Sequence, residues 1–165
     1  MKPLLLQYSA YHVWANGLLL DAVLALPVAL HTAEARSSFP TLQATVIHLL
    51  DAESIWWQRL KLQEHIIRPG DNLIGGMAEA VRLLKQLDGQ WHAWISKAKE
   101  PALQHVFQYH NTKRELFKQP VYQMLLHVFN HGTYHRGQLV SQLRQLGIDK
   151  IPATDFIVWS RKSSL

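Results

Sequence analysis

The chain has 165 residues, 48% of them hydrophobic, which predicts one domain spanning residues 1–165 with a packed interior rather than a disordered chain. It contains no cysteine, which excludes disulfides, thiolate metal sites and cysteine nucleophiles and fits a reducing, cytoplasmic setting. Seventeen basic residues against twelve acidic ones give a charge of +5, but they are scattered along the chain, which argues against nucleic-acid binding.

Residues 3–26 read as a first helix. Leu4, Tyr8, Tyr11, Ala15, Leu18, Leu19 and Ala22 form one stripe at helical spacing, and Leu6, Val13, Leu20 and Leu24 lie opposite. A helix apolar on most of its circumference is buried on more than one side, so a homodimer that covers the second side is expected. Gln7, Ser9, His12, Asn16 and Asp21 interrupt the apolar run, which argues against both a signal peptide and a membrane span. Pro27 ends the helix.

A loop over 29–39 precedes a second helix, 41–62, which Thr41 can cap. Residues 68–72, Arg-Pro-Gly-Asp-Asn, read as a turn. A third helix, from 73 or 77 to 98, carries Ala80, Leu83, Leu84, Leu87 and Trp91 at three- and four-residue intervals. Residues 100–119 suggest an irregular excursion with a small hairpin around Asn111 and Thr112. A fourth helix starts near Pro120 and stops at Gly147. The tail after residue 151 keeps Phe156, Ile157, Val158 and Trp159, which predicts that it packs back on the helices. The fold class is therefore all-α, a four-helix bundle whose long connections depart from the simplest up-down-up-down type.

The chemistry concentrates in histidine, of which there are ten. His127, His131 and His135 stand at i, i+4 and i+8 of the fourth helix, each rotated by about 40° and raised by about 6 Å from the last. An i, i+4 pair can grip one metal ion from a single helix. The outer two are about 12 Å apart, so one adjacent pair binds and spacing alone leaves open which. Zinc-type catalytic sites commonly take three protein ligands and keep a position for water. His48, mid-helix among apolar neighbours, is the best candidate for the third; the competing reading is a hydrogen-bonded core histidine. The other histidines, His12 among them, are read as nearer helix ends, loops or polar surroundings. Asp51, one turn after His48, reads equally as an orienting carboxylate and as an exposed helix acid. No Glu has a His three residues later, and H-E-x-x-H, P-loop, GxGxxG and GxSxG patterns are absent, which argues against several other metal and nucleotide chemistries.

Four segments together resemble the DinB-like family of the DinB/YfiT superfamily: WAN at Trp14–Asn16, TVIHLLDAESIWW at Thr45–Trp57, HVFNHGTYHRGQL at His127–Leu139 and PATD at Pro152–Asp155. They follow the family's order across nearly the whole chain, and the last histidine block is the specific one. The resemblance implies a bundle, usually dimeric, with a three-histidine site for one divalent ion per chain, zinc or nickel foremost. It places the ligands on His48, His131 and His135 and leaves His127 outside. Relatives of that family include mycothiol-dependent maleylpyruvate isomerases and bacillithiol transferases, so a metal-dependent hydrolase or thiol transferase is implied. His127, Tyr134 and Asp51 are candidate helpers. The alternative is a non-catalytic metal-binding stress-response dimer.

Overall fold

The computed structural model describes residues 1–111 and 113–163; Thr112, half of the anticipated turn, lies outside the described residues. Four long helices carry the fold: α1 (Lys2–Leu24), α3 (Leu42–Leu60), α4 (Gly76–Lys97) and α6 (Val121–Gln145). Between them lie a short α2 (Val28–His31), a 3₁₀ turn (Pro69–Asn72) and α5 (Glu100–Gln104). A two-stranded hairpin, β1 (Val106–His110) and β2 (Leu116–Pro120), precedes α6.

Local chemistry accounts for the boundaries. Pro3 sits in the first turn of α1, where its missing N–H costs nothing. The Thr41 side chain accepts the Ala44 N–H at 3.0 Å and caps α3. Gly147, at φ +79°, closes α6 in a left-handed conformation that side chains with a Cβ rarely adopt. The antiparallel hairpin pairs Val106 with Pro120 and His110 with Leu116.

α1 packs against α4 and α6, and α3 packs against the same two. Consecutive long helices α1 and α3 therefore stand diagonally across the bundle, the departure from simple up-and-down order that the long connections suggested. The core draws Leu5, Leu19 and Val23 from α1, Leu42, Val46 and Leu49 from α3, Leu84, Trp91 and Ile95 from α4, and Leu125, Phe129 and Leu139 from α6. Each fully buried side chain of this kind contributes roughly 1.5–3 kcal/mol before entropy is counted.

The buried face of α1 differs from the expected stripe. Leu4 is 65% exposed and Leu18 37%, while Ser9, His12 and Asn16 are buried. Polar residues occupy core positions of this helix, so an apolar tally drew the stripe to one side of the true one. The tail does pack back: α7 (Phe156–Ser163) sets Phe156 and Trp159 edge-on to Tyr11, at 5.1 and 6.0 Å between ring centroids. Tyr11 also donates to the Thr154 carbonyl at 2.7 Å.

The loop between α2 and α3 is clipped to α6 by three glutamines spaced about one turn apart. Gln145 bonds both backbone groups of Arg36, Gln142 donates to the Phe39 carbonyl and Gln138 donates to Ser38. These bonds bring Phe39 to the position it holds in the site below.

Candidate metal centre

α3 and α6 pack side by side, and their facing surfaces bring His48, His131 and His135 together. His131 Nε2 lies 3.3 Å from His48 Nε2 and 3.0 Å from His135 Nε2. Donors held tetrahedrally by one zinc-type ion at about 2.0–2.1 Å stand about 3.3 Å apart, so the spacing matches that donor set. His135 is buried and the other two are half-buried, so the cluster lies at the edge of the bundle rather than at its centre.

Hydrogen bonding selects the nitrogens. Gln138 Oε1 accepts from His135 Nδ1 at 2.7 Å, which puts the proton of the neutral ring on Nδ1 and turns the Nε2 lone pair toward His131. Gln138 Nε2 in turn donates to Ser38 and to Tyr134, so the orienting amide is itself held. Phe39 stacks on His48 at 4.3 Å and leans on His135 at 5.8 Å, walling one side.

Electrostatics keep the rings neutral. Burial and the nearby His135, His48 and His127 push the His131 pKa down to about 3. Burial lowers His48, with His135 adding to it, and burial lowers His135 against the opposing bond to Gln138. Neutral imidazoles are the form that ligates a divalent ion.

The remaining candidates stand around this group. The His127 ring is 5.7 Å from that of His131 but turns its contact to Trp56, at 5.2 Å. Tyr134 is exposed and meets His135 edge-on at 5.0 Å. The Asp51 carboxylate accepts the Gly70 N–H at 2.7 Å, so it pins the loop after α3 rather than an imidazole. A Cβ on Gly70 would lie 2.5 Å from Ile47 and 2.7 Å from Asp51, which is why glycine stands there.

A second polar cluster escaped the sequence reading. His12, set aside there as peripheral, sits in the middle of α1 at 0% exposure. Its Nε2 donates to Glu53 at 3.1 Å and Asp88 at 3.2 Å, both carboxylates buried. Asn16 donates to Asp88, and Arg136 Nη1 donates to Asn16 Oδ1 at 2.7 Å. Two carboxylates thus face His12 directly, while Arg136 joins the network through Asn16. Burial alone would strip the proton from His12; Glu53 and Asp88 overcome it and raise the pKa to about 9. Burial and Asp88 push Glu53 up to about 7, against the pull of His12, and Glu53 Oε2 is buried without a hydrogen-bond partner. His12, Glu53 and Asp88 are close enough to serve as a ligand group. However, the Asn16 amide N–H₂, fixed by Arg136, points a donor into that cluster, which suits a protonated histidine between carboxylates better than a metal ion. The sequence signal was His12 and Asn16 at i, i+4, with Glu53 and Asp88 in core register of their helices.

The fold and this site define a helical bundle with a histidine group between two of its long helices, whose donor set could hold a divalent ion. The DinB family model matches residues 1–160, and the chain belongs to that family. It is 28% identical over 160 residues to Protein DinB of Bacillus subtilis (strain 168), covering 88% of this chain and 87% of that one. A crystal structure of a DinB-like protein from Bacillus cereus ATCC 10987 superposes with a TM-score of 0.70 at 18% identity, over 90% of this chain and 94% of that one. YfiT from Bacillus subtilis, described as a probable metal-dependent hydrolase with an unusual four-helix bundle topology, superposes at 0.64 with 21% identity, over 85% and 86% of the two chains. These likenesses establish the bundle. Among the described residues no helix is long and apolar enough to cross a membrane.

Proposed function

We propose that His48, His131 and His135 hold one divalent ion, zinc or nickel, and that the chain is a metal-dependent enzyme acting by hydrolysis or thiol transfer. The observation that carries this reading is the convergence of three neutral Nε2 atoms, one of them oriented by Gln138, at a half-exposed edge of the bundle. Imidazole donors suit zinc and nickel. A bound ion with three neutral ligands retains its full charge and lowers the pKa of a water or thiol placed on it. The description of YfiT as a probable metal-dependent hydrolase supports the same class.

The chain's own residues supply the rest. Gln138 fixes the His135 ring, and Phe39 keeps bulk water from one face of His48 and His135. Tyr134 and His127 flank the group on α6, within reach of a molecule approaching it. Partial exposure of His48 and His131 favours an accessible, reactive position over a purely structural tie between helices that already pack closely.

Elemental analysis of variants tests the assignment. Replacing His131 by Ala removes one of three ligands and is expected to abolish binding of the single ion per chain. Replacing His127 by Ala is expected to retain it, because that ring faces Trp56. Loss of metal in His127→Ala with retention in His135→Ala would overturn the ligand set. Absence of zinc or nickel uptake by the wild-type chain would remove the enzyme reading with it.

A further inference from the structure

Arg59 is an unusual cation. It lies in the last turn of α3, half-buried, with its guanidinium carbon 4.6 Å from the Trp56 ring centroid and 5.0 Å from that of Tyr109. Nη2 donates to the His110 carbonyl at 2.9 Å. No carboxylate among the described residues forms an ion pair with it, whereas neighbouring Arg68 is neutralised by Asp71 at 2.7 Å. A guanidinium carries five N–H donors in a planar fork, and one hydrogen bond leaves most of that fork uncommitted. Burial of such a charge costs free energy that a stacked aromatic ring only partly offsets.

The surroundings form a binding cleft. Arg59 lines a cavity of about 550 Å³ together with Ile55, Ile66, Ile67 and His110, a volume in the range of small-molecule sites. Arg68, Asp71 and Asn111 complete the lining; Arg68 and Asp71 neutralise each other, so the charge left without an ion pair in this mixed wall is that of Arg59. Ile55 lies seven residues after His48, two turns along the same side of α3 and about 10 Å away. A chain of ring contacts links the two: Arg59 lies over Trp56, Trp56 meets His127, and His127 meets His131.

We propose that this cleft takes the oxyanion end of an elongated small molecule, a carboxylate or phosphate held by the Arg59 fork, whose other end reaches toward the histidine group, about 16 Å back along α3 from Arg59. The second half of that statement rests on the function proposed above; the first does not. Trp56 and Tyr109, edge-on to each other at 4.9 Å, and the bond to the His110 carbonyl hold the guanidinium from several sides, so ligand binding orders little that is not already ordered. Ile55, Ile66 and Ile67 would cover the apolar body of the molecule.

The test uses the full chain with and without zinc, titrated separately with inorganic phosphate and with benzoate. The readout is the Trp56 indole resonance, assigned by comparison with Trp56→Phe. Saturable shifts at the same position are expected in both forms of the protein, because the anchor is Arg59 and not the ion. A response to phosphate or to benzoate identifies which oxyanion the cleft prefers, and either supports the assignment. Arg59→Gln is expected to weaken binding at least tenfold, and Arg59→Lys to recover part of it, since a point charge replaces a fork. Lys61→Gln, which removes an equal charge over Trp57, is expected to leave it unchanged. Zinc uptake should be unaffected by Arg59→Gln. Equal binding by the wild type and both Arg59 variants, or binding only in the zinc-loaded form, overturns the Arg59 site. A chain that takes no zinc yet binds the anion through Arg59 overturns only the metal reading.

Discussion

Gly132 stands between two proposed ligands on α6, and replacing it with alanine tests whether the buried network sets the geometry of the histidine group. A Cβ at this position would lie 2.4 Å from His12 Cε1, 3.0 Å from His12 Nδ1 and 3.4 Å from Arg136 Nη1. Relief requires about 1 Å of movement to reach ordinary contact. The His12 ring cannot supply it, because Glu53 and Asp88 hold it from one side and the core encloses it. The helix α6 must yield instead, and it carries His131 and His135. Overpacking of this kind costs about 1–3 kcal/mol, against a helix-propensity gain of about 0.5–1 kcal/mol for alanine over glycine. The net expectation is a loss of roughly 1–2 kcal/mol, or a drop in Tm of about 3–6 °C for a domain of this size. Gly137, further along the same helix, would have nothing within 4 Å of an added Cβ, so Gly137→Ala should be stabilising by about 0.5–1 kcal/mol. Thermal and urea unfolding of the two metal-free variants give the comparison, and zinc titration gives the consequence. Zinc affinity should fall by on the order of tenfold in Gly132→Ala, as expected when groups that orient metal ligands shift, and stay level in Gly137→Ala. If the two alanine variants unfold alike, the close approach of α1 to α6 does not constrain the site and the reasoning fails.

Other consequences follow from the same two clusters. His12 has its folded pKa raised to about 9 from 6.5, so its contribution to stability is complete below about pH 6.5 and lost as pH rises through 9; urea midpoints between pH 6 and 9.5 should decline, and a flat profile would contradict a protonated His12. Glu53→Gln removes a buried carboxylate partner of His12 and should destabilise the fold by about 3–5 kcal/mol at about pH 8, where Glu53 is ionised and His12 still protonated, measured by urea unfolding. His131 has its folded pKa lowered to about 3, so the unfolded chain takes up the proton first and metal-free stability should fall as pH drops from 6.5 toward 3. For the same reason metal should be retained at about pH 5.5, below the ordinary histidine range, in competition with a weak chelator whose own pH dependence is known. Leu4 and Leu18 are exposed on one side of α1, and we propose that a second copy covers them; a monomer in sedimentation at micromolar concentration would refute the homodimer.

The long helices were legible because their apolar periodicity, the Thr41 cap and the Gly147 stop all point the same way. The choice between His127–His131 and His131–His135 was not, because both pairs have identical spacing on one helix and only the register between α3 and α6 separates them. In that register Trp56 takes the place opposite His127, and His48 the place opposite His131 and His135. Nothing local to either helix encodes that offset; the family resemblance supplied what spacing could not. The His12 network was missed for a different reason. Hydrophobic periodicity assigns charged residues to the surface by default, and His12, Glu53 and Asp88 are buried because each is the others' solvent.

That mutual solvation links the two clusters physically. Successive residues of α6 serve both: His135 turns its Nε2 to the histidine group, and Arg136, about 100° further round the helix, bonds Asn16 and Thr133. On α3, His48 and Glu53 divide the same labour five residues apart. The inner cluster keeps His12 protonated at neutral pH, whereas burial and neighbouring imidazoles hold His131 of the outer one free of a proton. A directional, hydrogen-bonded lock between α1, α3, α4 and α6 fixes helix rotation in a way that apolar packing alone leaves loose. Rotation of α6 is the variable on which the approach of His131 and His135 to His48 depends, so the inner cluster sets the spacing of the outer one.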